Sequence, residues 1–317
     1  MKTLVTSSVK KASEFIKRGE VVAFPTETVY GLGADVYNEE AVKKIFYAKM
    51  RPPDNPLIVH VHNYSQIESI VKKITPVAEK IIDKFFPGPI TIVLKKNDVI
   101  SEYISGGLDT VAIRLPSLQL TQKFIKECGV PLAAPSANLS GSPSPTSWNH
   151  VYFDLNGRIP CILKGPNCKI GLESTVVDCT QKFPVILRPG IISSEELKTI
   201  FPDVKIYNPR GYIRPKSPGM KYKHYAPKAK VILINNQVDL EKYNIKFSES
   251  AFIGFMKVRN FKKVKRLNDL RDYARSLFDF FRKCDKMKIK TIYCQTVPPE
   301  GLGLAIMNRL IKASHNE

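Results

Sequence analysis

Two cations stand two residues apart at Lys49 and Arg51, heading the stretch Lys-Met-Arg-Pro-Pro-Asp-Asn-Pro-Leu-Ile-Val-His that ends at His60. Pro52, Pro53 and Pro56 lack N–H donors and fix φ, so this segment cannot continue a helix. The apolar run Leu57–Val61 that follows suits a buried strand. A stiff loop carrying two cations, with the Asn55 amide and the His60 ring behind them, suits an anionic ligand. An isolated pair of this kind is also an ordinary solvated turn, so the rest of the chain has to decide.

Further polar clusters fall where short apolar strands end, which is where open α/β sheets bind ligands. One is Thr26-Glu27-Thr28, and another is Ser136-x-Asn138 with Ser140 and Ser144. Glu173-Ser174-Thr175 and Arg188-Pro189-Gly190 add two more. Arg114 is the one charge in the strand-like run Thr110–Leu115. A cation between Ile113 and Leu115 is costly to bury alone, so it pairs with a carboxylate, points outward or faces a ligand anion. No Gly-x-Ser-x-Gly, P-loop or Gly-x-Gly-x-x-Gly stretch is present. Any nucleotide would therefore be held by discrete Lys, Arg, Ser and Asn contacts.

The elements that must carry these groups mix helices and strands without strict alternation. Helical spacing marks 8–18, 39–49, 75–86 and 117–127, and strands are expected at 21–24, 57–61, 90–94, 110–115, 132–134, 161–163, 174–178 and 185–187. Thr26–Gly33 reads as turn-rich. The expectation is an α/β protein: a twisted, open, mixed-sheet domain over residues 1–207, a basic Pro/Gly/Tyr-containing linker over 208–230, and a small α/β domain over 231–317. In that last part strands are expected at 231–234, 251–255 and 291–293, with helices at 270–281 and 304–312.

Composition narrows the classes. The chain has 317 residues, 43% hydrophobic and 25% charged, which is ordinary for a globular protein. No apolar run approaches the roughly 20 residues of a membrane span, and the N-terminus lacks a signal-peptide core, so a cytoplasmic location is expected. Six cysteines form no Cys-x-x-Cys pair and are expected as buried thiols. His60-x-His62 has no third ligand at metal spacing, so no metal site is assigned to protein side chains. The net charge of +20 is uneven: +5 over 1–207, +7 over 208–230 and +8 over 231–317. That excess favours a polyanionic partner such as RNA meeting the last third, or simply a Lys-rich solvated surface.

Taken together and in order, the motifs resemble the Sua5/YrdC family. They are Phe24-Pro-Thr-Glu-Thr-Val-Tyr-Gly-Leu-Gly, Lys49-x-Arg51 with Asn55-Pro-Leu-Ile-Val-His60, and Ser136-Ala-Asn138-x-Ser140-Gly-x-x-Ser144-Pro-Thr. Pro87-Gly-Pro, Gly171-x-Glu173-Ser174-Thr175 and Arg188-Pro-Gly continue the likeness. Ser217-Pro-Gly-Met-Lys-Tyr-Lys-His224-Tyr225-Ala-Pro and Gly303-x-Ala-Ile-Met-Asn308-Arg309-Leu are similar to its two-domain branch. The resemblance implies a nucleotidyltransferase that joins L-threonine, bicarbonate or CO2, and ATP (with Mg2+) into L-threonylcarbamoyladenylate, releasing pyrophosphate. A separate threonylcarbamoyl-transfer complex would use that product for the t6A modification of ANN-decoding tRNA. It implies threonine contacts at Thr28, His60, Arg114, Ala134 and Ser174. Nucleotide contacts are implied at Arg51, Asn55, Thr110, Ser136, Asn138, Ser144, Arg188 and Tyr225, with Lys49 and Arg51 catalytic.

The charge requirement of such substrates suits these residues: a carboxylate, a bicarbonate and a triphosphate need compensating cations, and an Arg fork matches a carboxylate. Tyr225 and the linker cations are expected to fold over the site as a lid. The three prolines are expected to hold a phosphate side (Lys49, Arg51, Asn55) apart from a threonine side (His60). A non-catalytic RNA-binding module of the same fold is the alternative. A carbamoyl-adenylate enzyme of the hydrogenase-maturation kind is disfavoured, because no Cys-x-x-Cys is present.

Overall fold

The computed structural model describes residues 2–207 and 225–314. Most of the expected linker, including the His224 motif position, therefore lies outside the described residues. Eleven strands form one sheet: β1 Leu4–Thr6, β2 Val22–Phe24, β3 Gly31–Asp35, β4 Ile58–His60, β5 Ile90–Lys95, β6 Thr110–Arg114, β7 Leu132–Ala134, β8 Cys161–Leu163, β9 Thr175–Asp178, β10 Val185–Arg188 and β11 Lys205–Ile206. Their order is β1-β8-β2-β3-β7-β4-β6-β5-β9-β10-β11, with parallel and antiparallel neighbours mixed. A second sheet of β12 Lys230–Ile234, β13 Ser250–Gly254, β14 Lys263–Arg266 and β15 Thr291–Gln295 is parallel throughout, in the order β12-β15-β13-β14.

Local rules account for the elements that present the site. The helix Glu39–Lys49 starts where Asn38 accepts the Ala41 N–H, and it stops where Met50 turns left-handed at φ 54°. The Pro-rich loop then leads into β4. Burial pulls on both faces of the large sheet. One face carries the main core, in which Ala41, Val42 and Ile45 of that helix meet Val59, Val111 and Ile113. The opposite face is divided. Over β2, β7 and β8 it is covered by the helices Val9–Lys17 and Gln119–Cys128, through Ile16, Phe124 and Ile125. Over β4, β5, β6, β9 and β10 it carries a cluster of Ile58, Val93, Ala112, Val176 and Leu187, all buried and flanked by Val185 and Tyr207.

The turn-rich expectation for Thr26–Gly33 needs correction, because Gly31–Gly33 belong to β3. The glycines are there for space. A Cβ on Gly31 would lie 3.0 Å from the Phe24 ring, and one on Gly33 would lie 2.7 Å from it. β3 thus passes under a buried phenyl ring that only glycine admits. The strands β1, β11 and β14 and the helix Trp148–Leu155 were likewise not anticipated.

The two parts meet through loops and helices. Val29 and Leu172 share a buried cluster with Tyr225, Tyr273, Phe278 and Ile306. Arg282 bridges to Asp154 at 2.7 and 3.0 Å and donates to the Pro143 carbonyl at 2.5 Å. A Cβ on Gly171 would lie 2.5 Å from the Arg275 backbone.

Candidate active site

A pocket opens where β4, β6, β7 and β10 end. Thr26, Thr28, His60, Arg114, Ala134, Ser136, Glu173, Ser174, Arg188 and Tyr225 are among its walls. Register brings its two central groups side by side: His60 of β4 pairs with Arg114 of β6.

Arg114 is buried and held on three sides. Its Nε donates to the Gly88 carbonyl at 3.3 Å, Nη1 to Thr28 Oγ1 at 2.7 Å and Nη2 to Glu27 Oε1 at 2.6 Å. Three of the five guanidinium N–H groups are thereby engaged. Burial would raise the Glu27 carboxyl, but the charge and hydrogen bond of Arg114 bring it below the usual carboxylate range. Thr28 is oriented in turn. Thr26 Oγ1 donates to the Val29 carbonyl at 2.7 Å, so the Thr28 hydroxyl donates to Thr26 at 2.8 Å and accepts from Arg114.

His60 stands edge-on to Phe24, with ring centres 5.6 Å apart. Burial, and then the Arg114 charge, push its pKa down to about 3. It is therefore neutral near pH 7, and its Nδ1–H donates to the Ile58 carbonyl at 3.2 Å. That hydrogen bond fixes the tautomer and leaves Nε2 as an acceptor.

The opposite wall is cationic. Arg188 is buried, and both Nε and Nη2 donate to the Ser174 carbonyl, at 3.1 and 3.0 Å. Its Nη2 also reaches Ser174 Oγ at 3.2 Å, and that hydroxyl meets Thr91 Oγ1 at 2.8 Å. Tyr225 is buried at φ 67° and stacks on Phe278, ring centres 5.4 Å apart. Burial, then the Glu173 charge, raise its phenol. Glu173 accepts from the Ser144 hydroxyl and from Arg309 Nε at 3.1 Å. Burial works against its ionised form, yet Arg309 and Arg188 hold its carboxyl below the ordinary value.

The structure thus gathers Thr28, His60, Arg114, Ala134, Ser136, Ser174, Arg188 and Tyr225 around one pocket. It sets other candidates behind the walls. Lys49 is buried, and its Nζ donates to the Ser136 and Asn138 carbonyls at 2.5 Å each. Burial, with Arg51 nearby, drives its amine well below the ordinary lysine range. It ties the Ser136 loop down and does not line the pocket. Asn138 turns into its own loop, donating to the Leu139 and Ser142 carbonyls, while its Oδ1 accepts from Ser136. Ser144 faces Glu173. Arg51 donates to the Asn55 and Pro56 carbonyls at 3.2 and 3.0 Å.

Asn55 is buried, and its Oδ1 has no hydrogen-bond partner among the described residues. Thr110 begins β6, at the far end of that strand from Arg114. Four strand steps separate them by about 13 Å. The two ends of β6 therefore mark two neighbourhoods, Thr110 at one and Arg114 beside His60 at the other. Sequence reasoning set Glu27 and Glu173 in the polar clusters and Arg309 in a motif but gave none of the three a role, although Arg114 amid apolar neighbours already called for a partner.

Comparison with known proteins bears on the same residues. The Sua5–YciO–YrdC family model, described as telomere recombination, matches residues 14–190. The model of the threonylcarbamoyl-AMP synthase C-terminal domain matches 192–315. Threonylcarbamoyl-AMP synthase of Pyrococcus abyssi is 45% identical over 96% of this chain and 94% of its own. That of Bacillus subtilis is 41% identical over 96% and 92%. The crystal structure of P. abyssi Sua5 complexed with L-threonine superposes with a TM-score of 0.93 at 42% identity, covering 98% of both chains.

Proposed function

The chain belongs to the Sua5–YciO–YrdC family, and on that premise we infer that it is a threonylcarbamoyl-AMP synthase, making L-threonylcarbamoyladenylate for the t6A modification of ANN-decoding tRNA. The observation that carries the reading is the buried pairing of a fixed arginine fork, Arg114, with a neutral acceptor, His60, in one pocket.

L-threonine is the amino-acid substrate, as suits a chain so similar to a protein crystallised with L-threonine. Its carboxylate takes the two N–H groups of Arg114 left over from Gly88, Thr28 and Glu27. A neutral His60 accepts through Nε2 from the threonine ammonium or hydroxyl without repelling it, and Ala134 and Ser174 close the subsite. A hydroxyl partner discriminates threonine from valine more strongly than a methyl wall would.

ATP enters as its Mg2+ complex, the magnesium arriving with the phosphates, since Glu27 and Glu173 are both committed to arginines. The nucleotide lies between Arg188, Ser136 and Tyr225 on one side and Asn55, Thr110 and Arg51 on the other. The deprotonated threonine amine adds to CO2 and gives up a proton to solvent, or displaces water from bicarbonate, and either route gives the carbamate. A carbamate oxygen then attacks the α-phosphorus and pyrophosphate leaves. The overall transfer is that of a nucleotidyltransferase. The protein's own share is positioning and charge neutralisation, with Lys49 bracing the Ser136 loop. The basic C-terminal part offers a tRNA contact, and the product passes to a separate transfer complex.

Incubation with ATP, labelled bicarbonate and each amino acid in turn, followed by mass analysis, tests this. Labelled threonylcarbamoyl-AMP with threonine alone is the expected result. Salt-sensitive RNA binding with no adenylate from any amino acid would favour a non-catalytic module instead.

A further inference from the structure

Arg309 is the residue whose burial the proposed chemistry does not yet explain. It sits on the helix Gly301–Ser314 of the C-terminal part and is 0% exposed. A wholly buried guanidinium is costly unless its partners are well placed. Here they come from the other side of the molecule. Nε donates to Glu173 Oε2 at 3.1 Å, and Nη1 donates to the Pro189 carbonyl at 2.6 Å. The guanidinium carbon lies 5.5 Å from the centre of the Tyr225 ring. Each contact touches a different piece of the pocket wall: the Glu173–Ser174 loop, the peptide next to Arg188, and the Tyr225 cap.

Docking does not need this charge. The apolar seam of Val29 and Leu172, the close approach of Gly171 to Arg275 and the Arg282–Asp154 pair already join the two parts.

We propose that Arg309, although outside the pocket lining, is a positioning residue for the reaction: one guanidinium from the C-terminal domain sets the Glu173 carboxylate, the Arg188–Pro189 turn and the Tyr225 ring relative to one another. The C-terminal domain then completes the nucleotide side of the site. A lysine at 309 supplies the charge but not the fork, so it can serve one partner at a time. The inference rests on the synthase reading above, and the assay separates the two.

Wild-type protein, Arg309→Met, Arg309→Lys and, as an interface control, Arg282→Ala are compared for KM of ATP, KM of threonine and kcat. Wild type making no adenylate would overturn the synthase reading. With wild type active, Arg309→Met is expected to raise the KM for ATP about tenfold or more, as follows from wall groups displaced by a fraction of an ångström. The KM for threonine should move by a smaller factor. Arg309→Lys should fall between, and Arg282→Ala should leave both KM values unchanged. If Arg309→Met does not fold, Arg309→Lys decides alone, by a raised or unraised KM for ATP. An unchanged KM for ATP in the folded variant, with kcat reduced only in proportion to the folded fraction, would reduce Arg309 to a structural role and overturn the inference.

Discussion

His60 shows what the tertiary setting does to one side chain. Its folded pKa lies near 3 against 6.5 for the free residue, because burial and Arg114 oppose its charge. Below about pH 6.5 the unfolded chain binds a proton that the folded one refuses, so stability falls by up to about 1.4 kcal/mol per pH unit as acidity increases toward pH 3. The lowered carboxyls of Glu27 and Glu173 contribute stability above their unfolded value of 4.5 and lose it only at lower pH. In urea denaturation between about pH 6.5 and pH 5, the difference in slope between wild type and His60→Asn reads the histidine, because the lowered amines of Lys49 and Lys312 are common to both. The wild type should weaken across that window, and His60→Asn should weaken distinctly less. Parallel slopes would show that His60 protonates freely in the folded protein. Lys49 makes the complementary point. The motif marks it as a cation for a ligand, whereas its amine is spent on the Ser136 and Asn138 carbonyls. Residue type and spacing reveal that an ionisable amine is present; only the fold reveals what it touches.

Among the elements, the helix Glu39–Lys49 was legible to its last residue, because its cap, its apolar spacing and its following prolines are all local signals. β3 was not. Two glycines in five residues suggest a turn, and the ring that requires them is seven to nine positions away in the chain. Gly33→Ala would press a methyl to 2.7 Å from the Phe24 ring. A loss of about 1–3 kcal/mol is expected from such overpacking, read as a fall in thermal midpoint. Because Phe24 buttresses the His60 ring, threonine affinity should drop with it. A Gly33→Ala protein with wild-type stability would mean that the ring moves aside freely.

At the scale of the molecule, no helix among the described residues is long and apolar enough to cross a membrane. The two parts are joined by charges as well as by an apolar seam. Arg282 and Asp154 are both largely buried at their contact. Arg282→Ala leaves that carboxylate without its cation and should cost about 3–5 kcal/mol, and Asp154→Asn on the same background should return part of it. Calorimetry checks both. An unchanged midpoint in Arg282→Ala would make the contact a surface pair of little consequence. Arg309, one helix away, should differ by moving substrate affinity as well as stability.

What the sequence by itself determined was the α/β class, the family and most of the pocket's residue types, because periodicity, caps and motif order are written within short stretches. The tertiary structure alone decided that Arg114 is already clasped by Glu27, that Lys49 braces a loop, and that an arginine from the last helix reaches Glu173. These are contacts between residues 87, 87 and 136 positions apart. No local propensity encodes them. They follow from strand register and from the requirement that every buried charge find a partner.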